Sequence, residues 1–353
     1  MILVLMRLLE LKAYGPVGRD VPNCMRSFER VLIADSTSIG LPKVLAPFFP
    51  GASNQSGSKQ AQLKIQAYYD LRNESFVDFS LSSFRKNDQA ASKDILAVAQ
   101  PNDLILRDLG YFVLDVFKQL DQRGCFFVSR LKTGTCLLAR ESDEELDILK
   151  LLRGQELVDM PVRVGKKDKL AVRLIAVKLP QNVADKRRRE HRQNRDNRLR
   201  YTRRTATLLG WVIFITNLDQ KNFSPKQILS FYGLRWRIEV LFKAFKQHLN
   251  LGQVKETTPY QVELLIYARL ILITHLLNFV YGPLRHYSNT SLSSPLSILK
   301  FSYWFDLFAP YFFILSFIPK DQIIPRWLKQ IPKHCTYEKR SRLDFLSCFF
   351  SLG

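Results

Sequence analysis

Acidic residues are in short supply in this 353-residue chain. Asp and Glu number 32 against 53 Lys and Arg, which leaves a net charge of +21 and an isoelectric point near 9.9. A balance this basic points to a polyanionic partner, nucleic acid first; the plainer reading is a ribosomal or solubility-driven surface excess. Cysteine is sparse as well. Cys24, Cys125, Cys136, Cys335 and Cys348 form no C-x-x-C pair and have no histidine at zinc spacing. A disulfide framework and a zinc site are therefore not indicated, and thiols in a reducing cytosol are expected. No P-loop, dinucleotide fingerprint or nucleophile triad occurs, so ATP and redox cofactors are not indicated. Uninterrupted apolar runs of membrane-spanning length are also missing. The opening MILVLMRLLELKAYG is too short for a span and lacks a basic leader and cleavage site. Val262–Val280 carries Glu263, Arg269 and His275, which predicts a buried amphipathic helix, and Tyr303–Pro319 is broken by Asp306 and Pro310. A cytoplasmic protein without membrane contact is expected.

What the chain does have is the composition of a folded protein, with 46% hydrophobic and 12% aromatic residues and no internal repeat. Val31–Ala34 is a continuous apolar run ending at Asp35, which reads as a strand buried on both faces. Gln62–Leu71 and Phe76–Phe84 alternate as strands around the turn Arg72-Asn73-Glu74. A helix is expected over Ala90–Gln100, a short strand over Leu104–Leu106 that delivers Arg107 and Asp108, a helix around Phe112–Leu120, and a strand over Cys125–Leu131. This order is that of an RNase H-like α/β domain, although periodicity alone does not separate it from other mixed α/β folds. Between about 132 and 209 the texture becomes β-like, with Val162–Leu179 alternating, and ends in a basic, mobile loop over Asp185–Arg204. Lys186–Arg204 holds ten Lys and Arg in nineteen residues. That run, with Arg187, Arg188 and Arg189 at its start, is read as a DNA-backbone contact, or else as a solvated charge run. Trp211–Thr216 resumes the core. Ser224-Pro225 then starts one long helix through Leu249, with serine at the N-cap and proline in the first turn.

That helix carries the most telling pattern. Tyr232, Arg235, Glu239 and Lys246 stand at the spacing Y-x2-R-x3-E-x6-K. At about 100° per residue, the four side chains fall within roughly 60° of one another on a continuous helix. The opposite side bears Leu234, Ile238, Leu241, Phe242, Phe245 and Leu249. A carboxylate flanked by cations suits a bound metal ion next to gripped phosphates. Asp35 and Asp108, both read as strand-end residues, are the carboxylates to join Glu239. Each alone is as readily a turn or cap residue. Trp236 is expected to pack under the metal site, and His248, His275 and His286 to be structural.

The spacing resembles the signature of bacterial insertion-sequence DDE transposases of the IS-four group. Asp35-Ser36-Thr37 after an apolar strand is similar to the family's D-x-T segment. Arg107-Asp108-Leu109-Gly110-Tyr111 is similar to its D-x-G-Y/F segment, and an insertion before the glutamate is a further family feature. The resemblance covers about residues 30–280. It implies an RNase H-like mixed sheet with flanking helices, interrupted by a β-rich insertion before the catalytic glutamate helix. In that organisation, 1–29 is a short N-terminal remnant, 30–131 and 210–285 are the two parts of the core, 132–209 is the basic insertion, and 286–353 is a helical C-terminal segment. Asp35, Asp108 and Glu239 would be catalytic and would hold two Mg2+ or Mn2+ ions for attack on phosphodiesters. Tyr232, Arg235 and Lys246 would contact DNA phosphates. Trp211 would stack an extruded base, or else sit as a core tryptophan. The partners implied are double-stranded DNA, as inverted-repeat ends and target, and a second copy of the chain in a synaptic complex at the nucleoid.

Members of that group carry a helical domain ahead of the first aspartate. Here 34 residues precede Asp35. An N-terminally truncated reading frame is therefore expected, with an inactive DNA-binding remnant as the alternative to a working transposase. A stand-alone nuclease is the third reading.

Overall fold

The structure is a computed structural model that describes residues 1–10, 23–53, 59–193, 201–255, 258–285, 296–308, 331 and 334–336. Residues 194–200 of the basic run, His286 and most of the C-terminal segment lie outside them. The chain divides into two compact units. The first comprises Met1–Asn87 with Arg235–Arg342, and the second Asp88–Leu234 with Leu343–Gly353.

The first unit is built on an antiparallel sheet. β1 (Val31–Leu41) pairs with β3 (Lys59–Asp70), which also pairs with β2 (Pro50–Ser53) and β4 (Ser75–Ser83). β1 does not stop at Asp35. Its apolar start is buried on both faces, and the polar continuation alternates, turning Thr37, Ile39 and Leu41 inward. Asp35 is thus a mid-strand residue opposite Ala67, not a strand-end one. The alternation of a half-buried strand continues past the point where the continuous apolar run ends. Helices α1 (Ile2–Glu10), α8 (Trp236–His248), α9 (Pro259–Leu276) and α10 (Ile298–Phe308) complete the unit. α8 buries Ile238, Leu241, Phe242, Ala244 and Phe245, and Phe245 meets Phe76 of β4 with ring centroids 5.8 Å apart. α9 is apolar nearly all round rather than amphipathic. Val262, Ile266, Leu270 and Ile273 are buried, while Leu264 and Leu272 are exposed. The helical run Pro259–Arg285 has the length and apolarity of a membrane span, and 44% of its most apolar stretch is buried within the protein.

The second unit holds six strands in the order β5-β6-β10-β9-β8-β7. They are β5 (Leu104–Arg107), β6 (Phe126–Arg130), β7 (Leu137–Ala139), β8 (Leu157–Val164), β9 (Leu170–Lys178) and β10 (Trp211–Thr216). β5 and β6 are parallel and the rest antiparallel, so the sheet is mixed. The parallel pair is connected through α3 (Leu114–Gln122), as a parallel crossover requires. Val116, Phe117 and Leu120 of α3 face this sheet, and Phe117 lies 4.6 Å from Phe127 between centroids. The β-like stretch foreseen in the sequence is β8 and β9, and it joins the sheet through β9 on β10. The segment foreseen as a helix over Ala90–Gln100 is a short helix α2 (Asp88–Ala91) followed by a 3-10 turn over Ser92–Ala97. α4 (Ile148–Leu152), α5 (Gln181–Gln193), α6 (Arg203–Leu208) and α7 (Pro225–Gly233) are the remaining helices among the described residues. The strands and helices follow one another in a mixed α/β order, with helices flanking the strands.

Candidate active site

In the first unit, the sequence separates Asp35 and Glu239 by 204 positions, and the fold brings them to one cation. Arg235 Nη1 lies 2.7 Å from Glu239 Oε1 and donates to Asp35 Oδ2 at 3.3 Å. The two carboxylate oxygens therefore lie no farther apart than the sum of those distances. The arginine side chain is 9% exposed, Asp35 16% and Glu239 34%, so the cluster opens toward solvent on the glutamate side. Asp35 Oδ1 accepts from the Ser36 amide at 2.8 Å, which fixes the carboxylate on the strand. Arg235 and Glu239 meet because residues four apart are neighbours on a helix. Lys246 follows two turns later on the same face of α8. It is half-buried with no carboxylate paired to it among the described residues, and burial holds its pKa below the usual lysine value.

The helix expected from Ser224 to Leu249 is two helices. α7 ends at Gly233 and α8 begins at Trp236. Leu234 and Arg235 keep right-handed helical dihedrals, but the bonds here tighten: Leu234 N–H donates to Phe231 O and Ile238 N–H to Arg235 O, three residues back. Gly233, a poor helix former, stands at this junction. Tyr232 is consequently on α7, in the second unit, where its ring packs 4.9 Å from Phe214 of β10. The signature is not one continuous helical stripe.

Asp108 is in the second unit and follows β5 directly. It stands at the N-cap of the 3-10 turn Leu109–Tyr111, yet its carboxylate makes no capping bond, so capping does not explain the residue. Gly110 has a steric reason: a Cβ there would lie 2.9 Å from Asp88 Oδ2. Among the described residues no group of three or more His, Cys, Asp or Glu side chains gathers at metal-holding distance. Cys125, Cys136 and Cys335 are free thiols.

Trp211 is 7% exposed, which is the core alternative, but it borders a small concavity with Arg130, Lys132 and Arg204. Half of the expected basic loop is helix α5. Arg187 Nη1 reaches Trp211 O at 3.4 Å, and burial, with Arg130 nearby, holds its pKa below the usual arginine value. Arg188 bonds Ala206 O at 3.0 Å and Asp185 at 2.8 Å. These two arginines tie α5 to its neighbours, while Arg189 is exposed. Trp236 was expected to pack beneath the metal site, but it is 57% exposed with the Arg235 guanidinium 5.6 Å from its ring centroid. The periodicity of α8 sets it opposite the buried Ile238, Leu241 and Phe245, which is the exposed side of the helix.

The donor set at Asp35 and Glu239 is hard oxygen, the chemistry that selects magnesium or manganese. Their convergence on a single positive charge is the observation that fits such an ion.

A profile of the "Transposase DDE domain" matches residues 26–274. The chain is 30% identical over 266 residues to the transposase for insertion sequence element IS231B of Bacillus thuringiensis subsp. berliner, and 31% over 264 residues to that for IS1151 of Clostridium perfringens. The first alignment takes in 70% of this chain and 55% of the relative, the second 69% and 55%. The chain thus spans about half the length of the curated relatives it matches. Among solved structures, a piggyBac transposase synaptic complex with hairpin DNA aligns with 90% of this chain and 60% of its own, at a TM-score of 0.45 and 12% identity. With two carboxylates converging in the geometry above and a profile match over most of its length, this chain belongs to the transposase DDE-domain family.

Proposed function

We propose that the chain is the catalytic part of a DNA transposase, cutting double-stranded DNA at insertion-sequence ends and joining the freed ends to target DNA. The observation that carries this reading is the Arg235 contact with both Asp35 and Glu239. Asp35, Asp108 and Glu239 would hold two Mg2+ or Mn2+ ions. When bound, such ions supply Lewis acidity at the phosphate and a more acidic water. Arg235 holds the two carboxylates of its own unit in place and offsets their mutual repulsion. Lys246 is a partly desolvated cation, and a phosphate oxygen is a partner that restores what burial removed. Tyr232 offers a hydroxyl to the backbone of the strand being cut. Trp211, ringed by Arg130, Lys132 and Arg204, suits a base and its phosphates at one concavity, and the exposed Arg189 suits backbone contact. A second copy of the chain in the synaptic complex and a nucleoid location go with this reading.

The test is metal-dependent cleavage of a DNA fragment that spans the gene's own flanks. Discrete nicks at the element ends are expected in Mg2+ or Mn2+, with the rate in Glu239→Gln lower by about 10³-fold or more. Binding without nicks in either protein would point to a DNA-binding remnant. Unspecific degradation that Glu239→Gln removes would point to a nuclease.

A further inference from the structure

Arg107 precedes Asp108 and is 2% exposed, an unusual place for a guanidinium. Its Nη1 donates to the Ser92 carbonyl at 2.8 Å and to Ser92 Oγ at 3.1 Å. Ser92 Oγ in turn donates to the Tyr111 carbonyl at 2.8 Å, and Tyr111 N–H closes back on Asp108 O at 3.1 Å. The bonds thus form a ring through Arg107, Ser92 and Tyr111 that encloses the turn bearing Asp108. Two aromatic faces support the guanidinium, Tyr111 at 5.7 Å and Phe117 at 5.5 Å from their centroids. Gly110 admits Asp88 against the same turn, so the segment that begins at Asp88 meets it at two points. Ser92 and Tyr111 are both buried, and all of these residues belong to one unit.

We propose that Arg107 is a positioning residue that acts through Ser92 and Tyr111 to fix the direction of the Asp108 carboxylate toward a divalent ion. The inference rests on the reading of Asp108 given above. A charged side chain is costly to bury, and a leucine or methionine would fill the same space at β5. What the guanidinium adds is one nitrogen, Nη1, that donates to both the carbonyl and the hydroxyl of Ser92, which sets a backbone turn more firmly than packing does. Groups that orient a metal ligand typically change metal affinity by ten- to a hundredfold when removed.

The experiment is Mn2+ binding to the full chain, followed by electron paramagnetic resonance of the free ion, for wild type, Asp108→Ala, Ser92→Ala, Arg107→Met and Arg107→Lys. Circular dichroism and thermal unfolding accompany each. With Asp108→Ala removing a site, Ser92→Ala and Arg107→Met are expected to weaken that site about tenfold while remaining folded, and Arg107→Lys to recover part of it. Should Arg107→Met fail to fold, Ser92→Ala, which deletes a single oxygen, decides the matter. Wild-type affinity in a folded Ser92→Ala would overturn the inference with the Asp108 reading intact. Equal binding by wild type and Asp108→Ala would overturn the reading of Asp108 itself, and the inference with it.

Discussion

At the scale of single residues, ionisable groups removed from solvent make the fold sensitive to charge. Arg173 on β9 grips Asp159 of β8 with two prongs, Nε at 2.6 Å and Nη2 at 2.7 Å, and its Nη1 donates to the carbonyls of Asp219 and Phe223. Asp159→Asn would leave that buried cation without its counter-charge. The expected loss is about 3 kcal/mol of unfolding free energy, read from urea denaturation; a loss under about 1 kcal/mol would contradict this account. Asp70 presents the opposite case. It accepts from the amides of Val31 and Arg72 and from Asn73 Nδ2, yet burial outweighs these bonds and raises its pKa. Asp78 is raised by burial as well. For such acids the folded form binds the proton more tightly than the unfolded one. Stability from these groups is therefore present at low pH and declines as pH rises from about 4, the unfolded carboxylate value, through the raised folded value. Urea midpoints measured at stepped pH should show a shallower decline in Asp70→Asn than in wild type.

At the scale of elements, the junction of α7 and α8 matters most. Ser224 and Gln227 form a complete capping box at the start of α7, with Ser224 N–H on Gln227 Oε1 at 2.7 Å and Gln227 N–H on Ser224 Oγ at 3.4 Å. Pro225 at the first position needs no amide partner. Ser224→Ala should cost about 1 kcal/mol in a denaturation experiment, and Ser224→Asp much less. The serine, the proline and the glutamine are visible in the sequence as a start signal. The end is not, because Gly233 is followed by two residues that keep helical dihedrals and change only their hydrogen bonds. Likewise Asp35 followed by Ser-Thr-Ser reads as a strand's end, and only the pairing with Gln66, Ile65 and Lys64 carries β1 onward. Trp211–Thr216 was bounded correctly because a continuous apolar run between Gly210 and Asn217 leaves little choice.

At the scale of the whole molecule, the charge of +21 is the dominant property. DNA affinity is expected to fall with salt at a slope of roughly 0.9 per phosphate neutralised. The basic run is not expected to contribute uniformly, because Arg187 and Arg188 are engaged with Trp211 and Ala206 and only Arg189 of the three is exposed. Arg189→Ala should therefore lower the slope by about 1 in a fluorescence-anisotropy titration and leave thermal stability unchanged. Arg188→Ala should instead lower the unfolding temperature. Equal salt slopes in wild type and Arg189→Ala would remove that residue from the DNA contact.

What the sequence determined by itself was chemical: a basic, folded α/β chain, the strands around Val31, Gln62, Phe76, Leu104, Cys125 and Trp211, and the spacing that singled out Arg235, Glu239 and Lys246. Local patterns and residue types carry these, and both survive without knowledge of distant contacts. The tertiary structure decided that Asp35 and Glu239 share one guanidinium, and that Tyr232 sits on a helix of its own. It also decided that Arg107 is turned inward onto Ser92. The first of these depends on residues that meet across 200 positions of the chain, and a side chain's role changes with the partner that folding brings to it.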